Sequence, residues 1–164
     1  MDVPLHPSCE AISFLLGTWE GEGKGIYPTI ADFEYREESR FWHTGKPFLV
    51  YQQRTWSIED GSPLHTEMGF WRCQEEGVLE LILAHAFGIA EVEEGRVHGN
   101  RVEVRSTKMA PSSTAETVLG VSRVFEVDGD VMTYELSMAA ADLPLQNHLT
   151  AELRRVSQSS SAAY

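Results

Sequence analysis

The chain has 164 residues, 42% of them hydrophobic and 23% charged, ordinary proportions for one soluble globular domain with a single core. With 13 basic against 25 acidic residues the net charge is −12, which excludes nucleic acid and anionic membrane surfaces as principal partners, because no basic patch is available to neutralise phosphates. Two cysteines outside any Cys-x-x-Cys or Cys-x-x-Cys-His motif, an N-terminus without a basic n-region, and no apolar run near the ~20 residues that span a bilayer predict a cytoplasmic protein with free thiols.

In chain order, Pro7 to Leu16 carries the one helical spacing, with Ile12, Leu15 and Leu16 on one side, Ser8 placed to cap it and Glu10 in its first turn. A helix this short, ending at Gly17, is expected to plug one end of a sheet. The stretch Gly17 to Ile30, GTWEGEGKGIYPTI, alternates strictly. Trp19, Gly21, Gly23, Gly25 and Tyr27 share one strand face, and Glu20, Glu22, Lys24 and Ile26 share the other. Glycine brings no side chain to pack and costs entropy to fix, so three on one face mean that the strand bends or that something approaches its backbone. Pro28 removes a donor and ends the pairing.

Phe33 to His43 alternates again, with Phe33, Tyr35, Ser39, Phe41 and His43 against Glu34, Arg36, Glu38, Arg40 and Trp42. Turns at 44–47 and 59–63 bound strands from Phe48 to Trp56 and Leu64 to Arg72, and Glu75-Glu76-Gly77 leads into the most apolar run, Val78 to His85. Gly88 to Gly95, Arg101 to Ser106, Thr117 to Val127, Val131 to Met138 and His148 to Val156 complete ten strands, with Asp128-Gly129 marking a tight hairpin. Lys108 to Glu116 reads as a mobile rim loop, and Ser157 to Tyr164 as a disordered tail after a single domain over residues 1–156. Short connections, and no second helix long enough for a parallel crossover, predict an all-β fold. The expected form is a ten-stranded antiparallel up-and-down β-barrel, closed to hide its edges and able to hold a small ligand.

Six histidines are the main candidates for chemistry. None falls in a His-x-His or His-Glu-x-x-His pair, so no zinc motif is present, and His6 and His98 are expected to be bystanders. His85 shares a face with Leu79, Leu81 and Leu83, where a pocket wall meets a mouth. His65 opens one strand and His148 precedes another, also at a rim. A histidine at the mouth of an apolar cavity has the makings of a metal or heme ligand. There is no Gly-x-Ser-x-Gly elbow and no cysteine–histidine constellation for nucleophilic catalysis. The glycines from Gly21 to Gly25 lack the following helix that a phosphate site needs. Gly17-x-Trp19 instead reads as a barrel plug, crossed by Arg154 or Arg155 from the last strand. In that strand Leu149, Ala151 and Leu153 hold the apolar parity, so His148 faces outward unless a bulge at Gln146-Asn147 re-aims it.

These motifs resemble the nitrobindins, small heme-binding barrels. Gly17-Thr18-Trp19-Glu20-Gly21-Glu22-Gly23, continuing to Tyr27-Pro28-Thr29-Ile30, fits the family's G-x-W-x-G-x-G pattern and its Tyr-Pro-Thr extension. Gly45-Lys46-Pro47-Phe48, Pro63-Leu64-His65, Leu83-Ala84-His85, the run from Glu91 to Gly95, and Pro144-Leu145-Gln146-Asn147-His148-Leu149 follow in order. The resemblance implies a barrel of the fatty-acid-binding-protein or lipocalin kind holding one non-covalent heme b, with His148 as proximal iron ligand, Thr29 against the heme, and Leu64, His65, His85 and Met138 lining the cavity. It also implies nitric oxide binding and isomerisation of peroxynitrite to nitrate on ferric iron, by a monomer or homodimer whose partners are small molecules. The alternative reading of the same barrel is a carrier of a fatty acid or other small apolar ligand.

Overall fold

Alternation along Gly17–Tyr27 places Trp19, Gly23, Gly25 and Tyr27 inside and Glu20, Glu22, Lys24 and Ile26 outside in the computed structural model, which describes residues 3–157. This strand, β1, is followed by β2 (Ile30–His43), β3 (Leu49–Ser57), β4 (Pro63–Cys73), β5 (Val78–His85), β6 (Ile89–His98), β7 (Arg101–Pro111), β8 (Val118–Asp128), β9 (Val131–Ala140) and β10 (Gln146–Ser157). Each strand pairs antiparallel with its neighbour in sequence, and β10 returns to β1, so the ten strands form one closed barrel. Closure removes the unpaired edges that an open meander would present.

The glycine lane of β1 is filled from within the barrel. The Tyr35 ring of β2 lies over Gly23 and the Phe33 ring over Gly25, so closely that a Cβ on either glycine would overlap the ring. At Gly21 a Cβ would run into the Glu152 carbonyl of β10. What approaches this backbone is therefore the neighbouring strands themselves.

Several local expectations shift. The N-terminal helix is a 3₁₀ helix over Pro7–Leu15, and its cap is His6, whose Nδ1 accepts from the Ser8 N–H at 3.2 Å. Proline at the first helical position has no N–H to cap, and the cap falls on His6, two residues ahead of Ser8. The expected rim loop is half strand, since β7 continues to Pro111 against Ile89 of β6. The β8–β9 turn is Gly129-Asp130, with Gly129 at φ 58° supplying the positive φ that such turns need. Ser157 closes β10, and the rest of the expected tail, residues 158–164, lies outside the described residues.

One end of the barrel is sealed. Trp19 is fully buried beneath the 3₁₀ helix and its Nε1 donates to the Leu15 carbonyl at 2.8 Å. Parity decides between the two candidate arginines: Arg155 lies 4.0 Å from the Trp19 ring centroid and donates to the Phe14 and Leu16 carbonyls and to Asp130. Behind this plug Phe41 packs 4.8 Å from Tyr51 and edge-on to Trp71 at 5.2 Å, and Trp71 meets Phe125 at 5.2 Å. Each such ring contributes roughly 1.5–3 kcal/mol by leaving water. Both cysteines, Cys9 and Cys73, are free and buried at this end.

Candidate functional site

Halfway along the barrel the inward positions change character. Glu37, Gln53, Glu67, Glu93 and Arg123 are all at most 5% exposed, and His65, His85 and Glu91 stand beyond them toward the open end. Buried charge persists only when paired, and here the pairing is traceable. The Arg123 guanidinium is bidentate on Glu67, with Nη1 to Oε1 at 2.5 Å and Nη2 to Oε2 at 3.2 Å, and its Nε donates to Glu93 at 2.7 Å. Burial opposes ionisation of Glu67, but Arg123, His65 and His85 outweigh it and hold the carboxyl well below its usual range. In Glu93 burial prevails over Arg123 and, with Glu91 alongside, pushes the carboxyl well up. Glu91 Oε1 and Glu93 Oε2 are buried and have no hydrogen-bond partner among the described residues. Burial also raises Glu37, which accepts from Ser39 Oγ at 2.7 Å and from the Tyr134 hydroxyl at 2.5 Å.

His85 bridges this layer to the cavity. Its Nε2 lies 2.8 Å from Glu91 and its Nδ1 3.2 Å from Glu67. Burial works against a charge on the ring, yet the hydrogen bonds to Glu67 and Glu91 raise its pKa to about 9. Beyond it opens a cavity of about 360 Å³ whose walls include Phe33, Leu64, Phe87, Met109, Leu136, Met138 and Leu149.

His148 reaches this cavity through a β-bulge. Asn147 pairs with Ser137 and Leu149 with Leu136, adjacent residues of β9, so His148 is the extra residue in β10. The bulge resolves the parity conflict: Ala151 and Leu153 stay buried inside while the imidazole also lines the cavity. Nδ1 sits 3.0 Å from the Ile26 carbonyl, and the ring stands edge-on to Tyr27 at 5.2 Å. Burial pushes its pKa down, so the ring is neutral at neutral pH. A carbonyl only accepts, so Nδ1 carries the proton and Nε2 keeps its lone pair.

Leu64, His65, His85, Met138 and His148 therefore line a single cavity. Thr29 does not line it; it sits exposed in the β1–β2 turn, two residues past Tyr27. Gly17, Trp19, Gly21 and Gly23 belong to the wall and the plug, and His98 is exposed at the end of β6. Sequence reasoning missed Glu37, Glu67, Glu91, Glu93 and Arg123. Their signal was parity: Arg123 falls between Val121 and Phe125, and Glu67 shares a face with Trp71.

A family model described as the THAP4-like, heme-binding beta-barrel domain matches residues 8–155. The chain is 48% identical over 161 residues to "Peroxynitrite isomerase 2" of Mycobacterium marinum (strain ATCC BAA-535 / M), across 96% of this chain and 100% of that protein. It is 46% identical over 158 residues to "Peroxynitrite isomerase 1" of Mycobacterium tuberculosis (strain ATCC 25618 / H37Rv), across 92% and 96%. The crystal structure of Rv2717c from M. tuberculosis superposes with a TM-score of 0.87 at 45% identity, covering 93% of this chain and 99% of that one. Matched over nearly its whole length, the chain belongs to the THAP4-like heme-binding β-barrel family, the nitrobindins.

Proposed function

We propose that the protein is a heme-dependent peroxynitrite isomerase that holds one heme b at the open end of the barrel, with His148 as its proximal ligand. The observation that carries this reading is the bulge in β10, which brings a neutral imidazole with a free Nε2 to an otherwise largely apolar cavity. The donor set fits the group: a neutral imidazole nitrogen is a common donor to heme iron, and the Ile26 carbonyl, which accepts from the other ring nitrogen, fixes the ring and raises its basicity. Bound heme supplies a ferric Lewis acid for the redox-neutral rearrangement of peroxynitrite to nitrate, and a site for nitric oxide.

The protein's own work is holding and shielding. Leu64, Leu136, Met138 and Leu149 keep water from the cavity. The thiols lie at the opposite, sealed end, which favours a non-covalent heme b over a thioether-linked one. Free thiols also suit the cytoplasm, and among the described residues no helix is long and apolar enough to cross a membrane. A net charge of −12 favours small-molecule partners over polyanions. A fatty-acid carrier is the poorer reading, because an alkyl chain pushed inward would meet Glu67, Glu91 and Arg123.

Hemin titration tests the ligand. His148→Ala is expected to weaken hemin binding at least tenfold and to alter its absorption spectrum, and equal affinity and spectrum would remove His148 from the role. Nitrate yield from peroxynitrite, measured with and without hemin, tests the activity separately.

A further inference from the structure

We propose that His65, Glu67 and His85 form a second, non-heme metal site suited to a tetrahedral divalent cation of the zinc type. His65 and Glu67 are successive inward residues of β4, and His85 stands directly opposite Glu67 on β5, so two paired strands present three donors. The donor atoms converge. His85 Nδ1 and Glu67 Oε2 are 3.2 Å apart, His65 Nε2 and Glu67 Oε2 3.3 Å, and His65 Nε2 and His85 Nδ1 3.4 Å. Zinc bonds of about 2.0–2.1 Å at tetrahedral angles set ligand atoms about 3.3–3.5 Å apart, so this nearly equilateral triangle has the size of one face of a zinc tetrahedron. Neighbouring ligands of an octahedral magnesium ion stand closer, at about 2.9–3.0 Å, and two imidazoles select against hard cations in any case.

Two further observations point the same way. Glu91 Oε2 takes the other ring nitrogen of His85 at 2.8 Å, the carboxylate–histidine arrangement that orients a metal-bound imidazole and strengthens it as a donor. Charge is the other. Glu67 and Glu91 are buried carboxyls that both touch His85 and share one guanidinium, Arg123, so this corner of the barrel interior has acceptors to offer a cation. Arg123 fixes the plane of the Glu67 carboxylate and leaves Oε2 turned to both histidines. The ion takes the place of the protons that now tie the three atoms together. His65 and His85 line the cavity, which leaves the fourth position to water or an anion entering there, and Phe87 packs on both rings at 5.0 and 5.4 Å. His148, which lines the same cavity, is not among the donors.

The full chain, as purified and after reconstitution with hemin, is titrated with Zn²⁺ against a chromophoric chelator and with Co²⁺ followed by visible absorption. The expected result is one equivalent bound, with the intense bands of tetrahedral Co²⁺. His65→Ala and His85→Ala should each weaken binding at least tenfold, Glu91→Gln should weaken it about 10–100-fold as a positioning residue, and His148→Ala should leave it unchanged. No stoichiometric binding, a weak octahedral-type cobalt spectrum, or affinity indifferent to both histidine substitutions would each overturn the proposal. Loss of zinc binding in His148→Ala would overturn it too, by placing the ion on the heme ligand. Should His85→Ala fail to fold by circular dichroism, His65→Asn at the partly exposed edge of the triangle decides the matter alone. Hemin titration of the same variants reports the heme site independently.

Discussion

At the sealed end Trp19, Phe41, Trp71 and Phe125 fill the barrel with rings in contact, whereas at the open end equivalent inward positions carry Glu67, Glu91, Arg123, His65 and His85 around a cavity. Both halves use the same strands and the same alternation. The rings contribute favourable burial, while the charges contribute little net stability, since desolvation consumes most of what their pairing returns. A barrel designed only to fold would carry leucines in the second half. The charged layer is therefore a sign of what the open end is for, and the sealed end supplies the stability that tolerates it.

Substitutions separate the two halves, and the largest effect belongs to the sealed one. Trp71→Ala removes a fully buried ring and should cost about 3–5 kcal/mol in urea denaturation. Hemin affinity of the folded protein should stay within about twofold of the original, as expected of distant, independent sites. A large loss of affinity would mean that the halves are coupled. Gly23→Ala tests the boundary between them. The added methyl displaces Tyr35, whose hydroxyl lies 2.7 Å from that of Tyr134, and about 1–3 kcal/mol should be lost. A neutral effect on the melting temperature would show that the ring has room to move.

The smallest effect has the opposite sign. Glu37 has its folded pKa raised above the unfolded value of 4.5, so its contribution is fully present below 4.5 and is lost as pH rises through the folded value. At neutral pH the carboxyl is a liability that Glu37→Gln removes, by about 1.4 kcal/mol for each unit by which the folded pKa exceeds 4.5. The gain should vanish in acid. Melting curves of both proteins across that range check it, and a pH-independent difference would show that Glu37 ionises normally in the fold.

The strand order, the plug and the glycine lane were legible in the chain because each rests on local chemistry: alternation, turn residues and a tryptophan after Gly17. The cavity residues Leu64, His65, His85 and Met138 followed from motifs and face. The charged layer did not, because polar residues are assigned outward by default. Glu37 has the parity of Tyr35 and Ser39 and turns in, while its neighbour Glu38 pairs with Arg54 outside, but a carboxyl on an inward position runs against that default. Nor was His6 visible as a cap, since the sequence offers Ser8 more conventionally. The triangle of His65, Glu67 and His85 escapes any linear motif because its members meet across two strands.

The extra residue in β10 also makes the presence of the imidazole a matter of strand length. Because His148 has no partner on β9, a deletion of its single codon would bring Asn147 and Leu149 into register opposite Ser137 and Leu136 and leave the ladder regular. The result would be a barrel with its plug and walls intact and no imidazole from that strand. The imidazole is thus carried by the length of the last strand, not by the identity of a residue already in the ladder.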